Sequence, residues 1–61
     1  MGYTLAQLRV GRDWTQQEAA DAVGVSLTSW YKWEKHKSFP TQPRIDDILK
    51  TFNVAYDDII F

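Results

Sequence analysis

Apolar residues recur along the chain at helical spacing, and no stretch alternates between apolar and polar positions as a half-buried β-strand does. Thr4 precedes Leu5 and Leu8, which lie one turn apart, so the pattern predicts a first helix over about residues 4–11. A longer stripe predicts a helix over about residues 43–52 that opens on a proline. That stripe has the i, i+3, i+4, i+7 spacing and consists of Ile45, Ile48, Leu49 and Phe52.

Two further helices are marked by their capping residues. Thr15 and Glu18 stand three apart, as in a capping box, and Gly24 suits the left-handed position just past a helix end. These signals predict a helix over residues 16–23. Ser26 follows two residues later and suits the N-cap position, which predicts another helix over residues 27–35.

The last residues are less clearly marked. Asp57 and Asp58 favour a helix start, so residues 56–60 are predicted as a fifth short helix, with a frayed turn as the alternative. The prediction is an all-α fold, a compact bundle of five short helices that forms a single domain over residues 1–61.

Composition excludes several classes of protein. The chain has 61 residues, no cysteine and one histidine, so disulfides, thiolate metal sites and histidine metal clusters are excluded. A domain of this size buries so little apolar surface that a deep catalytic cleft would leave it unstable. The sequence also shows no candidate pair of a nucleophile and a base. We therefore expect no enzymatic activity and no cofactor. With no apolar membrane span or signal-peptide pattern, we expect an intracellular, cytoplasmic protein.

Charge is unevenly distributed. The net charge is −1 and the pI is 5.6, which by themselves do not suggest nucleic-acid binding. Residues 26–44 nevertheless carry a net charge of +3, whereas residues 45–61 carry −3. A polyanion responds to the local field, so the basic middle of the chain is the candidate binding region.

The second and third helices are joined almost without a connector. Their axes must therefore cross steeply at Gly24, as in a helix-turn-helix, whose second helix can enter the major groove of DNA. On that second helix, Trp30 and Trp33 lie one turn apart and are predicted to face the core. The opposite side carries Thr28, Tyr31, Lys32 and Lys35.

The residues that match a known family are spread over about positions 4–61 and occur in the order that the family has. Their centre is Thr15-Gln16-Gln17-Glu18-Ala19-Ala20, Val23-Gly24-Val25-Ser26 and Trp30-Tyr31-Lys32-Trp33-Glu34, flanked by Leu5, Leu8 and Arg9 before and by Pro40, Ile45, Ile48, Leu49, Asn53, Val54, Asp57 and Ile59 after. The sequence resembles the phage-repressor and Cro-like (XRE-type) helix-turn-helix domains. The resemblance implies a bundle of five helices and a location with the nucleoid of a bacterial or phage-infected cell.

The resemblance also implies roles for individual residues. Base edges of double-stranded DNA would be contacted from the third helix, by Leu27, Thr28, Tyr31 and Lys32. Phosphates would be contacted by Gln16, Ser26, Lys37, Ser38 and Gln42, although Ser26 could face a base edge instead. Arg9 and Glu34 would form a partly buried structural ion pair.

This sequence departs from the family pattern at three positions. Lys35-His36 stands where glycine commonly ends the recognition helix, and Ala55 stands where a hydroxyl or Asp often caps the last helix. Leu27 replaces a frequent glutamine and offers only apolar contact, for example to a thymine methyl group. Direct readout would then depend mainly on Thr28, Tyr31 and Lys32.

The apolar end of the chain has three interpretations. Tyr56, Ile59 and Phe61 could form a homodimer contact on an inverted-repeat operator, close the core against the first helix, or continue into a longer protein. We expect the dimer. The functional prediction is a small transcriptional regulator, a repressor that occupies operator DNA. The alternative is a protein-interaction module, antitoxin-like or a co-regulator, that uses the same helical face.

Overall fold

The computed structural model describes residues 2–61 and contains four α-helices and one short 3₁₀ turn. In chain order these elements are α1 (Leu5–Gly11), α2 (Gln16–Val23), α3 (Leu27–Glu34), α4 (Gln42–Phe52) and the 3₁₀ turn Tyr56–Asp58. No β-strand longer than a single bridge occurs within these residues. None of their helices is long and apolar enough to cross a membrane.

Polar side chains fix where three of the helices begin. Thr4 and Thr15 each accept a hydrogen bond from the third amide of their helix, at 3.1 Å, while Gln7 and Glu18 reach back to the cap amides. Ser26 caps α3 by accepting from the Ser29 amide at 3.1 Å. These bonds satisfy amides that the helices themselves leave unpaired.

Each α-helix is followed by a residue in the left-handed conformation. These residues are Asp13, Gly24, His36 and Asn53, with φ between +55° and +90°. After α3, the amide of His36 donates to the Trp33 carbonyl at 3.2 Å and that of Lys37 donates to the Lys32 carbonyl at 2.9 Å. These two bonds form a Schellman motif, so His36 occupies the position that glycine takes most readily.

His36→Gly is therefore expected to stabilise the domain. Histidine at a φ of +58° carries a Cβ penalty that glycine does not, and we expect a gain of about 0.5–1 kcal/mol in the free energy of unfolding. Urea denaturation followed by circular dichroism measures it. Gly24→Ala is the matched control and should lose stability, because φ there is +90°. A less stable His36→Gly variant would refute this interpretation.

The core is built around Trp30, which is fully buried on α3. Its ring centroid lies 6.0 Å from that of Trp33 and 6.1 Å from that of Phe52 on α4. The sequence-based placement of both tryptophans in the core is thus confirmed. The other buried residues of this core, within the part of the chain that the structure describes, are Leu5, Ala19, Ala20, Val23, Ile48 and Ile59.

The prediction of a fifth α-helix over residues 56–60 is wrong. The 3₁₀ turn ends at Asp58, and the backbone then runs extended beside the N-terminal segment. The Tyr3 amide donates to the Asp58 carbonyl at 2.7 Å, and the Ile60 amide donates to the Tyr3 carbonyl at 2.8 Å. These bonds join the two ends of the chain and pair backbone amides and carbonyls that a continuing helix would pair internally. They also direct Ile59 into the core.

Candidate nucleic-acid interface

The turn between α2 and α3 sets the direction of α3. Gly24 adopts a φ of +90°, and the amides of Gly24 and Val25 both donate to the Ala20 carbonyl, at 2.8 and 2.9 Å. Ala20 has no exposed surface, so the two helices meet closely at this point. The turn and the small side chain together hold α3 across α2 in the helix-turn-helix arrangement.

One side of α3 is left open to solvent. The predicted base-contacting residues share this side, and all four are exposed: Leu27, Thr28, Tyr31 and Lys32. Trp30 and Trp33 are buried on the opposite side. The structure thus brings the four residues together on a helix whose orientation is fixed by its packing. We refer to them as the α3 face.

The surface around the α3 face is basic. Within residues 2–61, Lys32, Lys35 and Lys37 form no ion pair, whereas Arg44 lies 3.3 Å from an Asp47 oxygen. Lys35 places its ammonium group 5.8 Å from the centroid of the Tyr31 ring, within cation–π distance. The one carboxylate of the basic segment, that of Glu34, is turned inward, so an approaching polyanion meets the free lysines.

Glu34 is the centre of a hydrogen-bonded cluster behind the α3 face. One carboxylate oxygen lies 2.7 Å from Arg9 Nε and also accepts from the Trp30 indole N–H. The other oxygen accepts from Arg9 Nη2 at 3.3 Å and from Gln16 Nε2 at 3.2 Å. The Arg9 guanidinium also donates to the Trp14 carbonyl at 2.9 Å. The cluster therefore connects α1, α2 and α3.

This environment favours the charged form of Glu34. Burial alone would raise the pKa of its carboxyl, but hydrogen bonds from Arg9, Gln16 and Trp30 and the positive charge of Arg9 outweigh that effect. The pKa of Glu34 is consequently below its ordinary value. The side chain is 6% exposed and that of Arg9 is 18% exposed, so solvent screens the pair only weakly.

Gln16 belongs to this cluster as well as to the predicted DNA contacts. It is the first residue of α2 and is half-buried, because its side-chain amide points at Glu34. The sequence predicts only a phosphate contact for Gln16, and it does not predict the contacts that Gln16 and Trp30 make with Glu34. For Trp30 a signal existed: it stands four residues before Glu34 on one helix, so the two side chains are neighbours.

The remaining predicted phosphate contacts lie at the edges of α3 and α4. Lys37 and Ser38 are exposed in the loop after α3, and Gln42 is exposed at the first position of α4. Gln42 Nε2 lies 3.3 Å from an Asp46 oxygen. The Ser26 hydroxyl accepts from the Ser29 amide and donates to the Ser29 hydroxyl at 3.1 Å, so it is engaged in capping.

Comparison with known proteins agrees with this geometry. A family model described as a helix-turn-helix domain matches residues 2–60. The chain is 38% identical to the HTH-type transcriptional activator BcrR of Enterococcus faecalis over 56 residues, 92% of this chain and 28% of that protein. It is 38% identical to the antitoxin PezA of Streptococcus pneumoniae over 60 residues, 98% of this chain and 38% of that protein.

A third relative comes from a phage. The chain is 33% identical to the cryptic phage CTXphi transcriptional repressor RstR of Vibrio cholerae over 55 residues, 90% of this chain and 49% of that protein. The chain thus spans between about a quarter and a half of the length of these relatives. No solved structure matches it significantly. With its Gly24 turn, its exposed α3 face and a match that covers nearly all of it, the chain belongs to the helix-turn-helix domain family.

Proposed function

We propose that this domain binds double-stranded DNA in a sequence-specific manner, as part of a small transcriptional regulator. The observation that carries the proposal is the α3 face, which is exposed, packed on the core from behind and bordered by Lys35 and Lys37. Neither these two lysines nor Lys32 of the face forms an ion pair within residues 2–61. An α-helix of this kind fits the major groove, where base edges are distinguishable. The relatives named as a transcriptional activator and a transcriptional repressor support the proposal.

The residues of the face divide by chemistry. Lys32 suits the O6 and N7 acceptors of guanine, Thr28 can donate or accept at a base edge, and Leu27 suits a thymine methyl group. Tyr31 adds a hydroxyl and holds the Lys35 ammonium group over its ring. Base reading in this proposal therefore rests on four neighbouring side chains of α3.

Phosphate contacts would orient the domain on the duplex. Lys37 and Ser38 project from the loop that follows α3, and Gln16 and Gln42 begin α2 and α4. Thr41 makes no side-chain capping bond to α4, which leaves amides of its first turn able to donate to a phosphate. Such contacts fix register and carry no sequence information directly.

The proposed mode of action is repression by occupation of an operator, with two copies on an inverted repeat and no chemical step. The phage repressor among the relatives supports repression, and the activator shows that related proteins regulate in both directions. Ile59 is buried within the monomer and is withdrawn from the proposed dimer contact. Tyr56 and Phe61 remain, with ring centroids 5.8 Å apart at one end of the bundle.

Lys32→Ala should separate base reading from phosphate binding. We expect it to weaken binding to the selected site by about 1–3 kcal/mol and to relax preference at one base position. Gln16→Ala should weaken binding to selected and scrambled duplexes alike, since phosphates occur in both. Fluorescence anisotropy with labelled duplexes measures both effects, at a temperature at which each variant is folded.

Lys50→Ala is the matched control. Lys50 is an exposed lysine in the last turn of α4, outside the proposed interface, so the same change of charge should alter affinity little. If Lys32→Ala and Lys50→Ala weakened selected and scrambled duplexes equally, Lys32 would have no part in base reading.

A protein partner for the α3 face is the second candidate function. The observation that favours it is the similarity to the antitoxin PezA, which covers almost the whole of this chain. Leu27 and Tyr31 are exposed apolar residues of the kind that protein interfaces use. Binding to duplex DNA that weakens steeply as salt increases supports the first candidate, because phosphate contacts release counterions. The absence of any duplex binding supports the second.

A further inference from the structure

Phe39 is the most exposed large apolar side chain that the structure describes. It is 74% exposed and lies in the loop between α3 and α4, directly after the predicted phosphate contacts Lys37 and Ser38. Neither the core nor the Glu34 cluster uses it. The ring therefore contributes little to the stability of the monomer and is free to contact a ligand.

The loop holds Phe39 at a defined position. On one side, the Lys37 amide donates to the Lys32 carbonyl at 2.9 Å as part of the Schellman motif that ends α3. On the other side, Pro40 is buried and restricts the backbone conformation of the residue before it. Phe39 is thus fixed between the end of the α3 face and the start of α4.

The charge around Phe39 indicates the chemistry of its partner. No acidic residue occurs between Lys35 and Ile45, and Lys35 and Lys37 have no ion pair within residues 2–61. A partner for this segment must be anionic and must also offer apolar surface beside its charges. A DNA strand meets both requirements, because deoxyribose rings alternate with phosphates along it.

We propose that the Phe39 ring packs against deoxyribose of the DNA backbone, beside a phosphate that Lys37 binds. This inference rests on the proposed function and adds an apolar contact to it. The contact removes ring surface from water and involves no base edge, so it strengthens binding without selecting sequence.

The test compares Phe39→Ala and Phe39→Leu with Lys37→Gln over a series of salt concentrations. We expect Phe39→Ala to weaken binding about 5- to 10-fold, as partial burial of a phenylalanine ring implies. The loss should be the same on selected and scrambled duplexes and at every salt concentration. Phe39→Leu should retain most of the affinity. Lys37→Gln should instead make the negative slope of log K against log salt shallower by about 0.9, because one phosphate contact is lost.

Val10→Ala is the matched control, since Val10 is an exposed apolar residue of α1 that lies outside the proposed interface. It should leave DNA affinity unchanged, and all these variants should melt close to the unaltered protein. Unchanged affinity of Phe39→Ala, with the unaltered protein bound to the same duplex, would overturn this inference alone. An unaltered protein that binds no duplex at about 50 mM salt would overturn the proposed function, and this inference with it.

Discussion

Trp30→Ala is expected to leave most of the protein unfolded at 25 °C. Trp30 is fully buried between Trp33 and Phe52, and its truncation opens a cavity in the centre of the core. Truncation of a buried tryptophan to alanine costs about 3–5 kcal/mol, and removal of the indole N–H also takes a donor from Glu34. The core of a domain of 61 residues supplies a total stability of only about 3–5 kcal/mol, so the loss is as large as the stability itself. Thermal melting followed by circular dichroism measures the loss.

The adjacent residue supplies the control for Trp30. Tyr31→Ala removes an aromatic ring from the exposed side of the same helix, so stability should change by no more than about 0.5 kcal/mol. The same variant should bind DNA more weakly, because Tyr31 lies on the α3 face. A Trp30→Ala variant that melts cooperatively near the temperature of the unaltered protein would contradict the described core.

Glu34→Ala should have the second largest effect on stability. The substitution leaves the Arg9 guanidinium partly buried without its carboxylate, and it removes the acceptor for Gln16 and Trp30. Removal of one member of a buried pair costs more than the pair contributes, because the remaining charge stays desolvated. We expect a loss of about 2–4 kcal/mol in the free energy of unfolding, measured by urea denaturation at pH 7.

The pH dependence of that loss identifies the carboxylate as its source. The pKa of Glu34 is lower in the folded than in the unfolded chain, so its contribution is fully present at any pH above the ordinary pKa of a glutamate. It is lost as the pH falls through the folded value. The stability difference between the unaltered protein and Glu34→Gln should therefore shrink as the pH falls from about 5 to 3. A difference independent of pH would contradict the ion pair.

Arg44→Ala is the matched control for the pair. Arg44 and Asp47 also form an ion pair, at 3.3 Å, but both side chains are more than two-fifths exposed. Exposed pairs contribute about 0–1 kcal/mol, so this substitution should change stability little. A loss equal to that of Glu34→Ala would mean that burial is not what distinguishes the two pairs.

Local signals in the sequence are sufficient to predict the four α-helices and the turn between α2 and α3. Thr15, Glu18 and Ser26 act within three residues of their own position, so their capping bonds are readable from spacing alone. Gly24 marks its turn in the same local way. The separation of buried Trp30 from exposed Tyr31 follows from helical periodicity.

Contacts between distant parts of the chain could not be read in that way. The last residues were predicted as helix from Asp57 and Asp58, but the bridge between Tyr3 and Ile59 joins segments from opposite ends of the chain. No local pattern encodes such pairing. The link between Gln16 and Glu34 is also a tertiary contact, made between the start of α2 and the end of α3.

The residue at which α3 ends could be located only from the sequence and the structure together. The absence of glycine at Lys35-His36 left the end point of the helix unsettled by sequence. His36 accepts the left-handed conformation because the Schellman bonds to Trp33 and Lys32 compensate for its strain. The same bonds fix the loop that carries Lys37 and Phe39, so this conformation shapes one edge of the proposed interface.

Selection from a pool of random DNA duplexes at low salt, followed by sequencing of what the protein retains, tests the central claim most directly. Our account predicts one enriched sequence, arranged as an inverted repeat with half-sites about one helical turn apart. A single enriched half-site would support base reading by the α3 face and contradict the proposed dimer. Retention without enrichment would reduce the function to binding of phosphates. No retention of any duplex would contradict the claim that the α3 face reads DNA, and would favour a protein partner for it.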